Sequence, residues 1–167
     1  FLLLCIFGMS YFDAICHTFS VVATGGFSSR NTSIASFSSP AIEYTLILLM
    51  LLSAISFVQH YRLWIERRLR NFLQDIETRF FLFTIVSASL LFTVLFVVHD
   101  GAALEPTFRS ALFQVTSITT GTGFTTANFA FWHPFAQLVL LALMFAGGCT
   151  GSTAGGMKIS RVLLLTR

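Results

Sequence analysis

Two short polar stretches hold the residues that could do chemistry. One is Ala23-Thr24-Gly25-Gly26-Phe27-Ser28-Ser29-Arg30-Asn31, the other Thr120-Gly121-Thr122-Gly123-Phe124-Thr125-Thr126-Ala127-Asn128. Both are rich in Gly and Ser/Thr, and neither contains Asp or Glu. Their ligands are therefore neutral oxygens, from backbone carbonyls and hydroxyls. Carbonyls along an extended strand can replace the hydration shell of a cation. Glycine is needed where the carbonyls must point one way at φ values that a Cβ disfavours. Without carboxylates such a site suits a monovalent cation better than Ca²⁺, which usually takes them.

The two stretches are copies. Gly26-Phe27 lies over Gly123-Phe124 at an offset of 97 residues. Upstream, Ala14-Ile15-Cys16-His17 falls over Ala111-Leu112-Phe113-Gln114, and Ser20 over Ser117. An internal repeat outranks most other sequence signals.

The elements that must position these hairpins are apolar. The 167 residues are 55% hydrophobic and 10% charged, with twenty Phe, and the mean hydropathy is +0.81. A soluble domain carries about 25% charged residues, so the chain reads as an all-α integral membrane protein. It opens and closes within apolar runs, without a basic n-region or cleavage site, and reads as a fragment of a longer protein. Residues 1–10 read as the outer end of a truncated helix. Residues 11–22 are too short to span, since about 20 are needed. A helix of that length running into a Gly-rich hairpin predicts a re-entrant half-helix. Non-helical backbone at membrane depth is tolerated only where protein buries it or water lines it. Residues 31–39 read as a surface loop. Pro40, with Ser39 as N-cap and Glu43 in the first turn, opens a spanning helix over 40–61. Residues 62–79 form a charged connector, and 80–98 a spanning helix without a charge. Pro106 to Thr119 is the second half-helix. Pro134 starts the last helix, interrupted over 146–156 by five glycines, each costing about 1 kcal/mol against Ala in a helix interior.

The order helix, half-helix, hairpin, helix thus occurs twice: residues 1–61 form one pore-type unit and 80–167 the next, joined by the connector 62–79. Of the ten Lys/Arg, eight lie in the connector or near the C-terminal end. The positive-inside rule makes both places cytoplasmic, so both hairpins re-enter from the outside. The basic residues are thereby topology markers, and nucleic acid is excluded as a partner. Cys5, Cys16 and Cys149 are scattered in a pattern that fits no zinc site. No Ser-His-Asp set and no facing carboxylate pair can be argued, and no enzyme is expected. Gly151 to Gly156 has the span of a phosphate loop, but Met157 separates Gly156 from Lys158 and no Ser/Thr follows the lysine. Gly147, Gly151 and Gly155 repeat every four residues, as in a small-residue packing face.

With these residues in view, the chain resembles the membrane subunits of the Trk/Ktr/HKT superfamily of potassium transporters, closest to the bacterial Trk type. Thr24–Ser28 is similar to that family's third filter strand and Gly121–Thr126 to its fourth. Gly147–Arg161 is similar to its last-helix signature, and His60-Tyr61-Arg62 and the connector fit as well. The resemblance implies a potassium-channel-like fold of four such units around one pore, of which this chain supplies the last two. It implies K⁺ held at filter residues Ala23, Thr24, Gly25, Gly26, Thr120, Gly121, Thr122 and Gly123, with Gly26 and Gly123 setting potassium preference. It implies a cytoplasmic gate involving Gly151 and Gly155 and a basic pore residue, Arg161 ahead of Lys158. It further implies location in the cell (inner) membrane, a homodimer and a nucleotide-binding regulatory ring of the TrkA/KtrA-like kind, with no cofactor beyond the transported ion. Family members carry a Gly/Asn break in the helix matching 40–61; here that place reads Ser53-Ala54-Ile55-Ser56-Phe57, which puts the gate there in doubt. Sodium–potassium symport, sodium permeation and a non-conducting membrane scaffold are the other readings.

Overall fold

The computed structural model describes residues 1–65, 67 and 75–165. Of the connector, Glu66, Arg68 and Arg70 lie outside the described residues, as does Arg167. Among the described residues all regular structure is helical: α1 (Leu2–Ile6), α2 (Tyr11–Val22), α3 (Pro40–Ala54), α4 (Phe57–Trp64), α5 (Ile76–Asp100), α6 (Leu104–Thr119), α7 (Pro134–Ala146) and α8 (Ile159–Leu165).

Helix boundaries follow local chemistry. Ser10 caps α2, its hydroxyl accepting from the Asp13 N–H. The Asp75 carboxylate caps α5 by accepting from the Thr78 N–H at 2.8 Å, so α5 begins four residues before the apolar run. Gly101, at φ 62°, ends α5 in a left-handed cap, a conformation open to glycine at little cost. Pro40 and Pro134 stand in the first turns of α3 and α7, where a missing N–H costs nothing. Pro106 does not open α6, which starts two residues earlier. It sits in the first turn, where the backbone N–H would in any case lack a helical partner. Ser39 occupies the cap position of α3 but its side chain makes no capping bond.

α5 is apolar all round, as a membrane helix is. Phe81, Ile85 and Phe92 are buried, while Phe83, Leu90 and Val94 on the far face are at least half exposed. It is the one described helix long and apolar enough to cross a membrane by itself.

Two expectations are corrected here. Residues 40–61 are not one straight helix: α3 and α4 meet at a 100° bend across Ile55-Ser56. The last helix is interrupted where its glycines lie, as expected, but they form no helical packing face. α7 stops at Ala146, and Gly147–Lys158 is an irregular loop leading to α8. The four-residue spacing of Gly147, Gly151 and Gly155 therefore never becomes a helix face.

The core consists of two apolar clusters, and each borrows from the other unit. Around α2 and α3, the cluster of Leu4, Val21, Ile34, Leu46 and Met50 takes in Phe113 and Phe124. Around α5–α7, the cluster of Phe81, Ile85, Phe92, Val115 and Leu140 takes in Ala54 and Ile55. At one end of this interface Arg109 bridges Glu43 at 2.8 Å and Glu105 at 2.7 Å.

Candidate ion-filter site

Both half-helices run straight into their hairpins and end in tight turns. Past α2, the N–H groups of Ala23, Thr24 and Gly25 bond back to the carbonyls of Phe19, Val21 and Ser20. Past α6, those of Thr120, Gly121 and Gly123 bond to Thr116, Ile118 and Ser117. The chain then turns through left-handed backbone at matching places: Thr24 (φ 49°) and Gly121 (φ 72°), then Gly26 (φ 69°) and Gly123 (φ 87°). Thr24 is a β-branched residue in a region such residues rarely occupy. Its hydroxyl donates to the Ala23 carbonyl at 2.8 Å and the Thr153 carbonyl at 2.9 Å.

The returning limbs are tied to their own half-helices by different means. In the first unit His17 is fully buried and lies between the Asp13 carbonyl (2.6 Å) and Ser28 Oγ (2.9 Å). Asp13 accepts from Ser10 Oγ, Ser29 Oγ and Arg30 Nη2, the last at 2.9 Å. Asp13 lies in the first turn of α2, which is too short to span. The bonds from Ser29 and Arg30 hold its carboxyl down at about 2, against burial that pushes it up. In the second unit Gln114 replaces His17 and donates to the Ala127 carbonyl at 2.9 Å. Ser117 Oγ donates to the Phe124 carbonyl at 2.6 Å. Thr120 and Thr122 are buried and share a hydroxyl bond of 2.7 Å.

The two hairpins meet. A Cβ built on Gly26 would stand 1.9 Å from the Thr122 carbonyl oxygen, so one strand's backbone lies against the other's and no side chain fits between. Beyond Gly26 and Gly123, the Thr125 carbonyl accepts from Ile34 N–H at 3.1 Å, and Ser33 Oγ accepts from Thr125 N–H at 3.3 Å. The sequence repeat alone gave no reason for the two stretches to touch.

The Gly147–Lys158 loop lies at the helix-C-terminal end of the hairpins. Thr153 is its contact residue: its hydroxyl bonds to the Val22 carbonyl (3.0 Å) and the Ser53 carbonyl (3.1 Å). The loop also completes the α3–α4 break. Cys149 N–H donates to the Ala54 carbonyl at 3.0 Å, and Phe57 N–H to the Gly151 carbonyl at 2.9 Å. These are the groups a helix break orphans, which explains how α3–α4 breaks without Gly or Asn. The loop folds tightly on itself: a Cβ on Gly147 would stand 2.3 Å from the Gly155 carbonyl oxygen, and one on Gly156 2.6 Å from Gly147 Cα. Lys158 turns back at φ 73°, its ammonium donating to the Ala154 and Ser152 carbonyls. Arg161, by contrast, stands exposed on α8. One residue that sequence reasoning missed is Glu77, at the start of α5. Its Oε1 accepts from Thr150 N–H (2.6 Å) and Ser160 N–H (3.2 Å), clamping both flanks of the loop. Nothing in its spacing marks it among the connector charges.

Chemically, the arrangement concentrates carbonyl and hydroxyl oxygens where two half-helix C-termini, each carrying about −0.5 charge, converge. That favours a cation and disfavours an anion. Among the described residues no cluster of His, Cys, Asp and Glu could hold a multivalent metal.

Repeated half-helix hairpins between helices, in an all-helical apolar chain, define a membrane protein of the pore-forming class. Residues 7–167 match the TrkH family, described as cation transport proteins, and the chain belongs to that family. It is 42% identical over 161 residues to the Trk system potassium uptake protein TrkH of Halomonas elongata, covering 96% of this chain and 33% of that one. To the Escherichia coli K12 protein of the same name it is 40% identical over 161 residues, covering 95% and 33%. The crystal structure of the potassium transporter TrkH from Vibrio parahaemolyticus superposes with a TM-score of 0.90 at 41% identity, covering 95% of this chain and 35% of that one. The chain thus spans about a third of the length of the relatives it matches.

Proposed function

We propose that this chain contributes two neighbouring filter strands, and the gate beneath them, to a potassium-uptake pore in the cell (inner) membrane. The two units, 1–61 and 80–167, are then consecutive quarters of a four-unit ring, joined through the cytoplasmic connector 62–79. The observation that carries the reading is the backbone contact of Gly26 with Thr122. Two carboxylate-free, Gly/Thr-rich strands face each other at the ends of two half-helix dipoles, which is what a dehydrated monovalent cation requires. The carbonyls and hydroxyls of Ala23–Gly26 and Thr120–Gly123 are the ligands. The names of the relatives supply potassium as the ion.

In this reading Gly147–Lys158 is the gate. It bonds to Val22 and Thr24 at the base of the first hairpin, and a Cβ built on Gly121 would meet the Gly155 backbone at 3.4 Å. Lys158 is the gating cation ahead of Arg161, because its ammonium neutralises loop carbonyls beside the filter. Gly151, at φ 72°, lets the loop follow its path, and Gly155 supplies backbone that the Gly147 turn packs against. A homodimer of the full-length subunit, and a nucleotide-binding regulatory ring meeting the connector, complete the proposal. It involves no enzyme chemistry and no cofactor besides K⁺.

The test is potassium uptake by the full-length protein in cells that lack their own uptake systems. Gly26→Ser should abolish uptake, since its Cβ strikes the Thr122 carbonyl. Gly123→Ser should reduce it less, because the site has room although φ is 87°. Wild-type uptake by both variants would overturn the filter reading.

A further inference from the structure

The first half-helix grips its returning limb more firmly than the second does. The three residues after Gly26-Phe27 all bond to α2: Ser28 to His17, and Ser29 and Arg30 to Asp13. A carbonyl can only accept, so His17 Nδ1 carries the proton it gives to the Asp13 carbonyl. In a neutral ring Nε2 then accepts from the Ser28 hydroxyl. Ser28 Oγ in turn accepts from the Arg30 N–H at 3.1 Å, and the Arg30 guanidinium returns to the Asp13 carboxylate. The bonds form a closed circuit that leaves Asp13 at its backbone and comes back at its side chain. Asp13 and His17 are buried, and Phe37 and Phe124 flank the imidazole, with ring centres at 5.4 and 5.6 Å.

In the second unit the counterparts, 97 positions on, are Ser110, Gln114, Thr125, Thr126 and Ala127. They include no carboxylate and no cation. Gln114 donates to the Ala127 carbonyl, but its Oε1 is buried without a partner, as is Thr126 Oγ1 in the place of Ser29. The strands differ in a second, independent respect. At the first left-handed turn the second strand has Gly121, and such backbone costs glycine little. The first strand has Thr24 there, at φ 49°. Strain of that kind persists only where the surroundings over-determine it. Bonds from its hydroxyl to the Ala23 and Thr153 carbonyls hold the Thr24 side chain, and the circuit holds the chain that leaves it. The strained strand is the one with the circuit.

We propose that Asp13, His17 and Arg30 are positioning residues for the first strand. Their circuit fixes the limb beyond Gly26, keeps Thr24 in its left-handed turn, and so keeps the Ala23–Gly26 carbonyls aimed at the ion. They act through the strand, not by contact with the ion. The inference rests on the reading of Ala23–Gly26 as ion ligands and names what aims them. Carbonyl sites discriminate between monovalent cations by cavity size and by the number and placement of their dipoles. Loss of the circuit should therefore appear as lost ion preference, beyond any loss of folding stability. Because strain at Thr24 is what the circuit braces, Thr24→Gly should reduce the need for it.

The experiment is thermal unfolding of the purified full-length protein in detergent, in potassium and in sodium at equal ionic strength. An ion that binds only the folded state raises Tm, so the excess of Tm in potassium over sodium reads ion preference without flux. Wild type should show that excess. Arg30→Gln, at a half-exposed side chain, and Asp13→Asn should lose most of it. His17→Gln, which installs the residue the second unit uses, should keep more of it than His17→Ala. In the Thr24→Gly background, Arg30→Gln should cost a smaller share of the excess. An unchanged excess in Arg30→Gln and Asp13→Asn overturns the inference, and a fall of Tm in sodium alone would then mark a purely structural role. An equal loss with and without Thr24→Gly overturns it as well. A wild type without any potassium excess would remove the filter reading and this inference with it. An excess that Gly26→Ser abolishes and the circuit variants leave intact would remove this inference alone.

Discussion

Each unit ends in a helix that breaks, and the two breaks are built in opposite ways. The first, between α3 and α4, spans two ordinary residues, Ile55 and Ser56, and turns the chain through 100°. The second, between α7 and α8, takes the twelve residues Gly147–Lys158 and is dense in glycine. The second break is written in its own composition. The first exists because the second supplies hydrogen bonds to the Ala54 carbonyl and the Phe57 N–H. A helix can therefore break without a breaker residue, if a distant segment satisfies the backbone groups that the break exposes.

That contrast can be attacked directly. The largest effect is expected from Gly147→Ala. Its Cβ would lie 2.3 Å from the Gly155 carbonyl oxygen, at a φ of 73° that alanine resists. Left-handed strain alone costs about 1–3 kcal/mol, and the collision adds to it. Potassium uptake and Tm of the full-length protein should both fall. Gly155→Ala, with open space around its Cβ, should leave Tm nearly unchanged. If both glycines tolerate alanine, the loop's tight fold is not what closes the second break.

Next in size is Glu77→Ala, which leaves the N–H groups of Thr150 and Ser160 without their acceptor. Hydrogen bonds to a charged acceptor contribute about 1.5–3 kcal/mol, and less for the Thr150 N–H, which is exposed. The loop should become more sensitive to protease or to amide exchange, with α5 unaffected. Glu77→Gln, which keeps an acceptor oxygen, should cost less; equal losses would show that charge and not geometry holds the loop.

Thr153→Val tests the tie between the two breaks. It removes hydroxyl bonds to Val22 and Ser53 while keeping the side chain's shape, at about 0.5–1.5 kcal/mol per bond. Faster amide exchange around Phe57 is the expected sign that the first break has loosened with the second. The smallest effect should come from Ser39→Ala. Its side chain makes no capping bond, so the loss of stability read from thermal unfolding should be smaller than the roughly 1 kcal/mol typical of losing a cap.

Much of this molecule was legible before any coordinates. The short helix over 11–22, the proline-led starts of α3 and α7, and the apolar α5 follow from short-range pattern. The two Gly/Thr-rich stretches were legible because they repeat. Other features depended on contacts remote in sequence. The α3–α4 bend escaped detection because Ile55 and Ser56 carry no breaker signal. The spacing of Gly147, Gly151 and Gly155 suggested a helix face, yet the backbone approaches at Gly147 and Gly156 demanded glycine for a loop instead. Glu77 was hidden among connector charges, since nothing local distinguishes a clamp from a solvated carboxylate.

What the amino-acid order decided alone was the kind of ligand and the kind of environment. Apolar composition requires a bilayer, and polar hairpins without carboxylates admit only neutral oxygens to an ion. Those are properties of side-chain chemistry and hold whatever the packing. What only the tertiary structure decided was which surfaces meet: Gly26 on Thr122, Thr153 on Val22, Phe124 inside the first unit's core while Phe27 stands outside it. Phe27 and Phe124 occupy the same place in the repeat, so local sequence could not separate them. Their different burial comes from tertiary packing: Phe124 joins the cluster of Leu4, Ile34 and Met50, and Phe27 does not.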